Sequence, residues 1–110
     1  MIEIPYGDPE GMRRLAKRLW PLAEHVVEEA NHLRRAIQAM RFEAPVALWY
    51  RERATERARS AERQGAELRD LANYLLHEAN ALEHAQQEAR RRIREAEERA
   101  RLAAMSGRGV

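Results

Sequence analysis

An antiparallel hairpin of two long helices, all-α and without strands, is the fold that three features of the sequence predict. Charged residues make up 35% of the 110 residues and aromatics only 5%, and Ala and Leu carry most of the apolar share, a composition that suits helices and suits strands poorly. Apolar positions recur at alternating steps of four and three through both halves of the chain. One stretch alone, MRFEAPVALWY at 40–50, interrupts the pattern, bringing together a proline and the rings of Phe42, Trp49 and Tyr50.

The first helix is expected over 9–40. Asp8 precedes Pro9 and Glu10, which gives a capping carboxylate, a ring suited to the first helical position and an acid near the positive end of the helix dipole. Met12, Ala16, Leu19, Ala23, Val26, Ala30, Leu33, Ile37 and Met40 then form the seam of a helix facing a neighbour. Pro21 falls inside this run without changing its register, which predicts a kink and not an ending. Outside the seam, Leu15, Leu22 and Ala36 lie on one flank, and Trp20 and Val27 on the other. That is more apolar surface than one helix can cover.

A bend at 41–44 follows, and Pro45 fits the first turn of a second helix over 45–104, where its missing N–H costs nothing. Ala47, Ala54, Ala61, Leu68, Leu75, Leu82, Ala89, Ala96 and Ala103 recur every seventh residue, and Ala58, Gly65, Ala72, Ala79, Ile93 and Ala100 fill the alternate seam. Gly65 costs about 1 kcal/mol relative to alanine inside a helix, so its place on the seam predicts close helix approach. Residues 105–110 read as a flexible tail. A turn centred near residue 43 sets residue i beside roughly 86 minus i, leaving about 25 residues of the second helix to overhang.

The chain forms a single domain, 1–104, too small to bury a large core. Fully burying a Leu or Val gives ~1.5 to 3 kcal/mol while ordering each residue costs ~1 to 2, so two helices facing through alanines come out near zero. A helical partner, completing a four-helix bundle from two hairpins, is therefore expected.

With no cysteine there is no disulfide framework or thiolate metal site. The net charge of +2 is interleaved along the sequence, so neither nucleic-acid binding nor a membrane span is expected. Arg90, Arg91, Arg92 and Arg94 are followed at once by Glu95, Glu97 and Glu98, which reads as a solvated, ion-paired face. No glycine-rich phosphate loop, Ser/His/Asp set or complete zincin motif occurs, so no catalysis and no cofactor is expected. Glu29 and His32 have the Glu-x-x-His spacing of di-iron carboxylate bundles, which makes a two-helix ferritin-like protein the enzyme-class alternative; Glu52, Glu56 or Glu62 would have to help. An ion pair from Glu29 to Arg53 or Arg57 explains the same acid without metal. His25 and His32, like His77 and His84, are about 10 Å apart along a helix and cannot share a zinc ion.

Phe42-Glu43-Ala44, at the bend between two long helices and followed by Val46-Ala47-Leu48-Trp49-Tyr50-Arg51, resembles the Trp-x-Gly bend of the WxG family of small helical hairpins exported by type VII (ESX) secretion systems. Phe stands here for Trp and Ala for Gly, and the resemblance spans roughly residues 8–88. It implies a non-catalytic protein made in the bacterial cytoplasm and exported without a cleavable signal peptide. It also implies pairing with itself or a paralogous hairpin, with a larger secreted protein and the secretion machinery as further partners. Partner-binding residues would be Leu15, Leu19, Trp20, Leu22, Val26, Val27, Trp49 and Tyr50. The family's Tyr-x-x-x-Asp/Glu export signal has a match in Tyr74 and Glu78, which share a helix face, and a partial one in His84 and Glu88. The rings at the bend either seal the end of the bundle or form a docking surface. A free-standing coiled-coil adaptor is the alternative among binding proteins.

Overall fold

The computed structural model describes residues 2–40 and 45–108; the Phe42-Glu43-Ala44 motif lies outside them. The chain forms two antiparallel helices, α1 (Pro9–Ala39) and α2 (Pro45–Arg108), packed along their lengths into a rod of 100 × 18 × 12 Å. There is no strand among the described residues. α2, at 64 residues, accounts for the long dimension by itself, because a helix rises about 1.5 Å per residue.

Both helices begin with a proline in the first turn, where no amide is lost from the backbone ladder. The Asp8 carboxylate does not cap α1 as its position predicts. Its backbone carbonyl accepts from the Met12 amide at 3.1 Å, while the side chain turns toward Arg14 at 3.4 Å. α1 continues through Pro21 and stops at Ala39, where the Met40 amide closes the last turn on Ala36 and Ile37. α2 runs four residues beyond the expected end, to Arg108.

The interior is a zipper of small residues. Ala16, Ala23 and Ala30 of α1 and Ala58, Gly65, Ala72 and Ala79 of α2, each set spaced by sevens, are buried. Leu19, Val26 and Leu33 and, opposite, Leu68, Leu75 and Leu82 are half-buried beside them. Small side chains let the backbones approach closely, and Gly65 shows how closely. A Cβ there would stand 2.6 Å from Val27 Cγ2 and 3.2 Å from the Ala23 carbonyl oxygen. The close approach expected at Gly65 is thus present.

The register differs from the one a symmetric bend predicts. Gly65 meets Ala23 and Val27 where the loop midpoint would place residue 21, and Arg13 reaches Asn80 and Glu83 where it would place residue 73. α2 is shifted by about one helical turn or more, because knob packing and flanking ion pairs set the level of two helices and the centre of the loop does not. In consequence the opening turns of α2 project past the last turn of α1. Val46, Leu48, Trp49 and Tyr50 are all exposed, and Trp49 and Tyr50 line an open groove with Leu33 of α1.

At the opposite end the overhang of α2 is partly covered. Residues 2–8 continue the line of α1 as an extended strap, with Gly7 on Leu82 and Ile4 in a groove with Gln87, Arg90, Ile93, Arg94 and Glu97.

Candidate functional site: the open edge of the hairpin

A two-helix zipper has two edges, one on either side of the seam. On one edge Arg13, Trp20, Val27 and Arg34 of α1 recur by sevens and meet Glu62, Arg69 and Glu83 of α2. Arg34 donates from Nε and Nη2 to the two oxygens of Glu62 at 2.7 and 2.9 Å, a bidentate pair. Arg13 donates from Nη2 to Glu83 and to Asn80 Oδ1 and from Nη1 to Glu10. The hydrogen bond from Arg13, and then its charge, lower the pKa of the Glu83 carboxyl below its ordinary value. Between these clamps the Arg69 guanidinium lies 5.6 Å from the centre of the Trp20 ring. Arg13 and Arg34 are three heptads apart, as are Glu62 and Glu83, so the clamps hold one register over six helical turns.

The other edge has no such clamp. Leu15 and Leu22 each precede a buried seam alanine of α1, and Leu71 precedes buried Ala72 of α2, which places all three on the side away from the ion pairs. They are 47%, 48% and 46% exposed, large aliphatic side chains left half in water. Toward the bend, Glu29, His32, Ala36, Arg57 and Ala61 line a shallow groove on the same edge. No ion pair crosses this edge among the described residues.

The residues expected to bind a partner therefore divide by position. Leu19 and Val26 belong to the seam and face α2; Trp20 and Val27 are half-buried on the clamped edge; Leu15 and Leu22 stand on the open one. Trp49 and Tyr50 are 50% and 61% exposed at the bend, their rings edge to face with centroids 5.0 Å apart and Arg53 stacked 4.8 Å from the Trp49 ring. Leu71, which sequence reasoning missed, shows its role only when its phase against Ala72 is read.

Tyr74 is exposed on α2 and Glu78 is half-buried one turn on; neither makes a hydrogen bond or ion pair among the described residues. Glu88 is engaged, since Arg91 donates to it at 2.8 Å and lowers its pKa, while His84 is exposed. Glu29 and His32 are both exposed, and Glu62 is committed to Arg34. No three His, Asp or Glu side chains converge on a metal-sized site among the described residues. The expected pairing of Glu29 with Arg53 or Arg57 is likewise not among the ion pairs of the described residues. No helix among the described residues is long and apolar enough to cross a membrane.

Comparison of the chain with protein-family models, curated proteins and solved structures returns no match.

Proposed function

We propose that the protein is a non-catalytic helical-hairpin partner protein that binds a second hairpin, its own copy or a paralogue, along the open edge, and that it serves a type VII (ESX-like) secretion route as substrate or partner. The observation that carries the reading is the asymmetry of the rod. One edge is closed by ion pairs, while the other keeps Leu15, Leu22 and Leu71 half in water beside a small-residue seam. Burying the exposed half of a side chain of that size gives about 1 kcal/mol, so a helix laid along this edge gains on three of them at once. The secretion assignment rests on the WxG-like layout of the sequence: two helices around a short bend, an aromatic in the bend, and Trp49-Tyr50-Arg51 after it. Tyr74, exposed on α2, with half-buried Glu78 one turn on, would be what an export receptor reads.

Sedimentation equilibrium of the purified protein tests the binding part. A dimer that becomes monomeric in Leu22→Asp and Leu71→Asp, with helicity retained, supports it; a dilution-resistant monomer that also captures no paralogous hairpin sinks it. For export, the protein is compared in cells and culture medium of a bacterium with and without its type VII ATPase. Loss from the medium without the ATPase is the expected result, and Tyr74→Ala should mimic it without unfolding the hairpin. Equal release in both strains rejects the secretion route and leaves the coiled-coil adaptor.

A further inference from the structure

The seam of α2 does not end where α1 begins. Leu82, Gln86, Ala89, Ile93 and Ala96 continue its alternation of fours and threes, but the element lying over the stretch from Leu82 to Ile93 is the extended strap of residues 2–8. Gln86 occupies the heptad position held by Ala58, Gly65, Ala72 and Ala79 in the helix-covered part. Only 8% exposed, it uses its amide Nε2 to donate to the carbonyls of Pro5 at 3.1 Å and Gly7 at 3.0 Å. Those two carbonyls are available because the strap is not helical. Gly7 has φ +147°, a conformation that L side chains rarely adopt, and a Cβ there would stand 2.5 Å from Leu82 Cδ2. The strap is thus fitted to its place, yet lightly held. Tyr6 is fully exposed, and Ile2 and Ile4 remain 41% and 43% exposed.

We infer that residues 2–8 are a displaceable cover over a second helix-docking site on α2, spanning Leu82 to Glu97, and that its occupant is a helix of a partner chain carrying small residues at every seventh position. The inference rests on the reading of the protein as a hairpin that takes a helical partner, but uses a different surface. Continuity with the α1–α2 interface identifies the occupant: the covered stretch has the same spacing that receives Ala16, Ala23 and Ala30 of α1. Arg90 and Arg94 flank the groove and make no ion pair among the described residues, which favours a helix with carboxylates beside its small-residue seam. A helix entering along this line must lift Ile4 out of the groove it shares with Ile93 and break the Gln86 fork. The strap therefore competes with the partner and sets the threshold for binding.

Gln86→Ala in the full chain tests this, since it removes the fork and restores the alanine found along the rest of the seam. The probe is a fluorescent synthetic peptide of residues 9–39 carrying Arg13→Glu and Arg34→Glu, which keeps the small residues at every seventh position and puts carboxylates beside them, read by anisotropy. Backbone order parameters of residues 3–8 from NMR relaxation should fall to below about 0.6 in Gln86→Ala, and the peptide should bind at least tenfold tighter than to the unaltered protein. Adding Ile93→Asp should abolish that gain, whereas adding Leu22→Asp should leave it intact. Unchanged order parameters in the strap, or a released strap with no gain in binding, overturns the proposal. A gain removed by Leu22→Asp but not by Ile93→Asp also overturns it while leaving the open-edge reading standing.

Discussion

The two edges of this hairpin are built from the same two helices and the same heptads, yet one is finished and the other is not. On the clamped edge, guanidinium groups span the seam: Arg34 grips both oxygens of Glu62, Arg13 bridges to Glu83 and Asn80, and Arg69 covers Trp20. On the open edge Leu15, Leu22 and Leu71 have water where the clamped edge has a partner. The difference teaches that the register of the hairpin is fixed internally. The apolar surplus is then free for a second molecule without endangering the alignment of the first two helices.

The largest effect should come from the seam shared by both edges. Gly65→Leu drives a side chain into Val27 and the Ala23 carbonyl, and the overpacking outweighs the gain in helix propensity by about 2 kcal/mol, measurable as a lowered urea midpoint. Arg34→Ala breaks the bidentate clamp, whose members are about 40% exposed, and should cost about 1 kcal/mol with stronger loss at low salt.

Acid should act on the same edge. Because the folded state lowers the pKa of Glu83, its contribution is fully present above the unfolded carboxylate value and is lost as pH falls through the folded one. Urea midpoints followed downward from pH 5 should decline, and decline less steeply in Glu83→Gln; identical slopes would remove the Arg13 clamp from the account. Arg69→Ala, which uncovers Trp20, should cost only about 0.5 kcal/mol and shift the indole fluorescence toward that of a solvated ring. On the open edge, Leu22→Asp should cost the isolated hairpin about 1 kcal/mol, from helix propensity and the packed half of the side chain, while abolishing the proposed association. A large loss of monomer stability there would mean that the two edges are not separate in function.

Much of this architecture was legible in the heptads. The seams through Ala16, Ala23 and Ala30 and through Ala58, Gly65, Ala72 and Ala79 follow from heptad spacing, and the same spacing runs on to exposed Ala96 and Ala103, where no helix lies opposite. The level of one helix against the other was not legible, since the loop gives only a midpoint while the clamps at Arg13 and Arg34 choose among registers a heptad apart. The strap escaped notice because Ile2-Glu3-Ile4-Pro5-Tyr6-Gly7 has no helical periodicity. Its signal was Gln86, a polar side chain among the small residues of the seam. At the bend, the presence of Trp49 and Tyr50 was evident, but their exposure depends on α2 starting beyond the end of α1, which only the register reveals.

The length of α2 has a mechanical consequence. An object 100 Å long and 12 Å across tumbles end over end far more slowly than a sphere of its mass, and whatever grips the head is out of touch with whatever grips the tail. A narrow channel would admit it tip first and meet Trp49 and Tyr50 or the far arginines, whereas a neighbour arriving broadside would meet leucine. Orientation at first encounter thus selects which chemistry the molecule offers.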